Sequence, residues 1–179
     1  MSLNLKRSVV LVGMMGCGKT AIGSRVATAL EVPFIDLDHE IEKNEGMTIS
    51  EIFDKYDEEY FRKKERETIG YILNSKLCIL ATGGGAFMNF NTRQLIQKLG
   101  TSVYIRADYD VLLERVSRKN NRPLLEKGDK AKILKGLMDK RCPVYEEADI
   151  VVDSSDSIHE IVVDKIIEEL SERFCKVGC

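Results

Sequence analysis

The octapeptide Gly13-Met14-Met15-Gly16-Cys17-Gly18-Lys19-Thr20 sets glycines, one cation and one hydroxyl in the spacing G-x-x-x-x-G-K-[ST]. Glycines let the backbone turn tightly and aim several N–H groups at one point, and a helix starting there adds positive potential for phosphate oxygens. Lys19 supplies a full charge for the β and γ phosphates of a nucleotide, and the Thr20 hydroxyl is a hard oxygen ligand suited to Mg²⁺. The motif follows the apolar run Ser8-Val9-Val10-Leu11-Val12 and opens a segment of helical apolar spacing. That strand–loop–helix context separates a phosphate-binding loop from a chance glycine turn. The loop is therefore read as holding ATP with magnesium. The absence of an Asn-Lys-x-Asp stretch for guanine, and a chain too small for most motor cores, put small-molecule kinases first.

A second group of residues suits an acceptor. Phe34-Ile35-Asp36-Leu37-Asp38 ends an apolar run with two carboxylates, which the strand period of two would set on one side of a sheet. Beside the phosphate loop, one acid can hold magnesium through its water shell while the other accepts a hydrogen bond from a hydroxyl and aligns it for in-line attack. Taken alone, the pair is a solvated strand end. The functional reading gains because ligands of open parallel sheets bind beyond the carboxyl ends of strands. Thr82-Gly83-Gly84-Gly85 follows the run ending at Ala81 and lets a ligand approach bare backbone, although glycine runs are also common in turns.

Three arginines complete the set. Arg62 follows Phe61 in a charged helical stretch, where an exposed ion pair with Glu58, Glu59 or Glu65 is the plainer account. Arg141 stands just before Cys142-Pro143, near an expected helix end from which it can turn into a cleft. Arg122 precedes Pro123 and should be extended, as suits a loop arginine that closes over a transferring phosphoryl group. The two histidines, His39 and His159, have no partner spacing that marks a ligand or a base.

The elements that must position these residues alternate in type. Apolar runs of strand length at Ser8 to Val12, Pro33 to Leu37, Leu77 to Ala81, Ser102 to Ile105 and Ile150 to Val152 alternate with helix-period segments, the mark of a parallel sheet wrapped by helices. Lys19 to Leu30 puts Ile22, Val26 and Ala29 on one helical face, and Ser157 to Phe174 does so with Ile158, Ile161, Val162 and Ile166. Thr48-Ile49-Ser50-Glu51 has capping-box spacing and opens a helical region expected to run to about Leu73. Arg118 to Lys130, with Asn120-Asn121, Pro123 and Gly128, reads as a polar loop able to act as a lid.

Composition bounds the rest. The 179 residues suit one domain, 1–179, and 44% hydrophobic with 31% charged residues describe an ordinary globular chain. With 27 basic and 29 acidic residues the formal net charge is −2, so no broad positive field recruits nucleic acid or an anionic membrane. The longest apolar run falls far short of the roughly 20 residues of a membrane helix. The five cysteines, Cys17, Cys78, Cys142, Cys175 and Cys179, are odd in number and scattered, as expected of reduced thiols in the cytoplasm.

In order along the chain, the phosphate loop, Phe34-x-Asp36-x-Asp38, Phe61-Arg62, Gly83-Gly-Gly-Ala86, Asn121-Arg-Pro-Leu-Leu125 and Arg141-x-Pro-x-Tyr145 strongly resemble the shikimate kinase family. The resemblance covers about residues 8–153. It implies a P-loop, nucleoside-monophosphate-kinase-like three-layer α/β fold with a five-stranded parallel sheet in order 2-3-1-4-5, a substrate-binding region at about 34–62 and a lid at about 118–130. It implies ATP-dependent phosphorylation of the shikimate 3-hydroxyl, a step toward chorismate and the aromatic amino acids. Asp38, Lys19 and Arg122 would be catalytic. Gly16, Cys17, Gly18, Lys19, Thr20 and Ala21, with Arg122, would bind ATP. Asp38, Arg62, Gly84 and Arg141 would bind shikimate, and Thr20 and Asp36 would hold Mg²⁺. The partners are expected to be small molecules alone, and the chain a monomer. Where the family often has an arginine lining the adenine pocket after the last strand, this chain has Asp153-Ser154-Ser155-Asp156-Ser157. Gluconate kinase, with a P-loop, a lid and an acidic hydroxylated substrate, is the near alternative. A nucleotide-binding regulatory protein without phosphoryl transfer is the more distant one.

Overall fold

The apolar run that leads into the phosphate loop becomes the middle of a sheet. In the computed structural model, which describes residues 5–118, 128–154 and 158–176, Ser8–Val12 forms β1 and is buried at every position. A nearly continuous apolar run is what a strand covered on both faces requires. Phe34–Asp36 (β2), Ile79–Ala81 (β3), Gly100–Arg106 (β4) and Ile150–Asp153 (β5) join it, all parallel, in the order β2-β3-β1-β4-β5. The expected strands are present with ends moved by up to two residues. The order matters for the site: residues after β2, β3 and β1, remote in sequence, emerge side by side at one edge of the sheet.

Helices cover both faces. They are Lys19–Ala29 (α1), Leu37–Glu45 (α2), Ile49–Lys55 (α3), Glu58–Ser75 (α4), Phe90–Leu99 (α5), Tyr109–Ser117 (α6), Lys130–Tyr145 (α7) and His159–Lys176 (α8). The capping box at Thr48 is formed in full: Glu51 N–H donates to the threonine hydroxyl at 3.2 Å, and Thr48 N–H donates to Glu51 Oε2 at 2.7 Å. The helical region that it opens is two helices rather than one. Tyr56 is extended, and the Asp57 carboxylate caps a new helix by accepting from Tyr60 N–H at 2.8 Å.

Two expected apolar faces are rotated. In α1 the buried residues are Ile22, Gly23, Val26 and Ala27, with Ala29 exposed. At and just before α8, Ile161 and Ile158 lie 46% and 65% exposed, while Val162, Val163, Ile166, Leu170 and Phe174 are buried. α1 packs on α8 as well as on the sheet, so each buries a broader stripe than one row of residues predicts. Pro143 also breaks an expectation: α7 continues through it to Tyr145. Of the lid span, residues 119–127 lie outside the described residues; Arg118 caps the end of α6, and Asp129 caps α7 by accepting from Ala131 N–H and Lys132 N–H. The four described cysteines are free.

The far edge of the sheet is stitched by one carboxylate. Asp149 Oδ2 accepts from Ser102 N–H and Ser102 Oγ–H, both at 2.9 Å, and Oδ1 accepts from Arg173 at 2.6 Å, joining β4, the start of β5 and α8. Ser102 is wholly buried. Asp149→Ala strands its N–H without a partner, and a buried unsatisfied donor costs about 1–3 kcal/mol, more than an exposed ion pair. Urea unfolding is expected to lose about 2 kcal/mol. The chemistry at the opposite edge of the sheet should be unchanged per folded molecule. A loss below about 0.5 kcal/mol would show that water replaces the carboxylate.

Candidate active site

The phosphate loop leaves β1 through backbone conformations that side chains resist. Gly13 has φ +145° and Gly18 has φ +97°, and a Cβ on Gly13 would stand 2.7 Å from the Ile105 carbonyl oxygen of β4. Glycine is therefore required at position 13 for conformation and space together. The loop is then braced from outside. Arg115 of α6 donates to Gly16 O at 3.2 Å, and the buried Ser154 hydroxyl after β5 bridges Cys17 O and Arg106 O at 3.4 and 3.1 Å. Lys19 Nζ lies over the loop, donating to Gly13 O at 2.8 Å and Met14 O at 2.9 Å.

Asp36 and Asp38 both reach this edge, by a route the strand period does not describe. β2 ends at Asp36, whose carboxylate caps α2 by accepting from His39 N–H at 3.2 Å, and Asp38 stands in the first helical turn. The cap converts strand to helix between the two acids. Thr20 Oγ1–H donates to Asp36 Oδ2 at 3.4 Å, so the two expected metal ligands are neighbours. Burial and the Asp36 carboxylate push the Asp38 pKa above the usual aspartate value, against the opposing pull of Lys19 and Arg62.

The glycine run faces the acceptor residues one by one. A Cβ on Gly83 would lie 3.2 Å from Asp38 Oδ1, one on Gly84 would lie 3.0 Å from Arg141 Nη1, and one on Gly85 would collide with Arg62 Nη2. These glycines serve close approach, not unusual backbone angles. Their carbonyls are also fixed, accepting from Ala86 N–H at 3.2 Å, Tyr145 Oη–H and Met88 N–H at 3.1 Å respectively. Thr82 ties the run to β1 by donating from N–H and Oγ1–H to Leu11 O at 3.2 and 2.9 Å.

Arg62 is not the exposed ion pair of the plainer account. It donates to Glu65 Oε2 at 2.8 Å and more loosely to Glu58 at 3.4 Å, with its guanidinium 5.2 Å from the Phe61 ring centroid. Glu65 is 1% exposed, its Oε1 has no partner among the described residues, and burial raises its pKa against the pull of Arg62. The i, i+3 spacing of Arg62 and Glu65 was legible, but the depth of Glu65 was not.

A cavity of about 680 Å³ runs along this edge, lined by Gly16, Gly18, Lys19, Thr20 and Ala21 and by Asp36, Asp38, Thr82, Gly83 and Gly84, with Arg115, Arg118 and His159 at its nucleotide end. Arg62 and Arg141 bound the acceptor end through their approach to Gly85 and Gly84. Sequence reasoning passed over Arg115, gave His159 no role, and named Arg118 and Tyr145 only as the start of a loop and the end of a motif. His159 was invisible because helix α8, not any local pattern, carries it to Gly18, whose added Cβ would lie 3.7 Å from the imidazole Nε2. Arg122 lies outside the described residues. The arrangement suits transfer of a phosphoryl group from a nucleotide at the loop to a hydroxyl at Asp38, on an acceptor whose anionic group meets two guanidiniums.

Comparison with known proteins agrees. The shikimate kinase family model matches residues 15–171. A shikimate kinase of Mesorhizobium japonicum is 46% identical over 168 residues, covering 94% of this chain and 83% of that protein. Among solved structures, a shikimate kinase from Acinetobacter baumannii in complex with shikimate superposes with a TM-score of 0.87 at 34% identity, over 93% of this chain and 94% of that one. A gluconokinase from Sinorhizobium meliloti reaches 0.66 at 19% identity over 96% and 95%, which shows a shared fold alone.

Gly85→Ala tests the contact at Arg62. The added methyl must displace the guanidinium, so affinity for a carboxylate-bearing acceptor is expected to fall at least about 10-fold, or about 1.4 kcal/mol. Calorimetric titration of nucleotide should be unchanged. Unaltered acceptor affinity would show that Arg62 has room to move aside.

Proposed function

Because the chain belongs to the shikimate kinase family, we propose that its cleft transfers the γ-phosphoryl group of ATP to the 3-hydroxyl of shikimate, giving shikimate 3-phosphate and ADP on the way to chorismate and the aromatic amino acids. The observation that carries this reading is the convergence of three bare glycines on one carboxylate and two guanidiniums. A ring acid with several hydroxyls needs such an acceptor and such forks, and little bulk between them.

Asp38 accepts the hydrogen bond of the attacking hydroxyl and is placed to take its proton as the new O–P bond forms. Its raised pKa makes it a stronger base than an ordinary aspartate. Lys19 and the backbone from Gly16 to Ala21 hold the phosphates, and Lys19 offsets charge as the phosphoryl group moves. Arg62 and Arg141 grip the substrate carboxylate, and Gly84 offers its backbone to the ring. On the family resemblance, Arg122 reaches the phosphates from a lid at about 118–130, and about 34–62 forms the substrate-binding region of a single domain.

Thr20 and Asp36 are hard oxygen donors side by side at the loop, a donor set that fits Mg²⁺. When bound, the ion neutralises charge on the β and γ phosphate oxygens. We place the reaction in the cytoplasm, carried out by a monomer on small molecules. The net charge of −2 offers no broad field for nucleic acid, and among the described residues no helix is long and apolar enough to cross a membrane.

A coupled ADP-release assay decides the substrate. Shikimate is expected to be turned over with Mg-ATP; turnover of gluconate or a nucleoside monophosphate in its place would refute the assignment. Asp38→Asn should abolish turnover while ATP titrates as before. In the wild type the acid limb of the kcat profile should lie above the ordinary aspartate pKa of about 4.

The same group governs stability. Its folded pKa exceeds its unfolded one, so Asp38 contributes stability below the unfolded value that is lost as pH rises through the folded value. At pH 7 the ionised group burdens the fold, so Asp38→Asn should raise Tm there, with no gain in acid where both states are protonated. A lower Tm at pH 7 would show that the ionised carboxylate stabilises the fold.

A further inference from the structure

The two arginines at the acceptor end are held by different chemistry. Arg62 is neutralised in place by the carboxylates of Glu65 and Glu58, at 2.8 and 3.4 Å. Arg141 makes no ion pair among the described residues; the polar group set beside it is the hydroxyl of Tyr145, one turn onward in α7. Both groups converge on Gly84, where an added Cβ would stand 3.0 Å from Arg141 Nη1 and 3.6 Å from Tyr145 Oη.

Tyr145 itself cannot move. It is fully buried, with its ring centroid 5.0 Å from that of Tyr104 in β4 and 6.5 Å from that of Phe87, which follows the glycine run. A phenol carries one proton and two lone pairs, so it can donate and accept at once. Here it donates to Gly84 O, and its oxygen keeps lone pairs available to the neighbouring Arg141 guanidinium. Burial raises its pKa far beyond the working range, so the hydroxyl stays neutral.

Resting on the reading of a carboxylate-bearing acceptor, we infer that Tyr145 is the positioning residue for that carboxylate. It aims the Arg141 guanidinium without cancelling its charge, and by the same hydroxyl it clamps the Gly84 backbone against the acceptor. A glutamate in its place would hold Arg141 as firmly, but it would occupy the donors that a substrate carboxylate needs. A neutral acceptor fixes direction and leaves the charge free. Arg62, already paired with Glu65 and Glu58, supplies shape and its remaining N–H groups, and Arg141 supplies the uncompensated charge.

The test is Tyr145→Phe, which removes one oxygen and keeps the ring packing. KM for shikimate is expected to rise about 10-fold, with kcat and KM for ATP each within about threefold of wild type. In an Arg141→Lys background the same change should add less than about twofold, since a residue acting through Arg141 has little left to act on. Tyr104→Phe is the packing control: it removes a phenol hydroxyl from the same cluster and should leave the ratio of the two KM values alone. Equal rises in both KM values, an unchanged shikimate KM, or multiplying effects in the double variant would each overturn the inference. If the wild type phosphorylates gluconate and not shikimate, the substrate reading fails alone, and the same ratios are read on gluconate.

Discussion

The fold is organised around one close approach of backbone to backbone. At Gly13 the chain leaves β1 so near the Ile105 carbonyl of β4 that no side chain fits between them. That contact places the phosphate loop directly on the sheet and not on a swinging loop above it. The surrounding contacts all bear on the same few residues: Arg115 holds Gly16, Ser154 holds Cys17, and Thr82 holds Leu11 at the end of β1. The acceptor residues inherit this rigidity, because the glycine run hangs from Thr82 and the two acids leave the strand beyond β3. A reaction whose catalysis rests mainly on orientation gains from such a frame.

The site is nonetheless expensive for the folded state. Asp36 and Asp38 repel each other, Asp38 and Glu65 are pushed toward protonation by burial, and one oxygen of Glu65 lacks a partner among the described residues. Lys19 and Arg62 offset part of that cost. The remainder is carried by the central strands, where Val9 to Val12, Ile79, Leu80, Val103 and Ile105 are wholly buried. Stability and function are thus segregated: the sheet interior around β1 is uncharged, its few buried polar groups being the hydroxyls of Ser8, Thr101 and Ser102, and the unfavourable charge gathers at the carboxyl edge.

Much of this was legible in the chain. The phosphate loop declares itself because its glycines, lysine and threonine are local in sequence and bear directly on one ligand. The five strands were legible because buried parallel strands are continuous apolar runs. What could not be read was whatever depends on several elements meeting. Asp36 and Asp38 were assigned a strand geometry because the cap that turns strand into helix lies in a side-chain hydrogen bond to His39 N–H. Glu65 was indistinguishable from its exposed neighbours until α4 packed down. His159 had no signal, since only the packing of α1 against α8 brings the start of that helix to the phosphate loop. The reach of α7 past Pro143 was missed for a related reason: proline weakens a helix, but the burial of Tyr145 one turn beyond Arg141 outweighs it.

The glycine run also bears on how such a cleft can change its preference over generations. Gly83, Gly84 and Gly85 each lie against a different side chain, Asp38, Arg141 and Arg62, so every substitution there adds atoms to a space that is already occupied. The acceptor pocket is defined by what is left out, and mutation at these three positions can only make it smaller. Divergence toward a larger or less acidic acceptor must therefore begin elsewhere, at the arginines or at the helices that carry them. The least conspicuous side chains in the cleft are the ones that hold its lineage to one size of substrate.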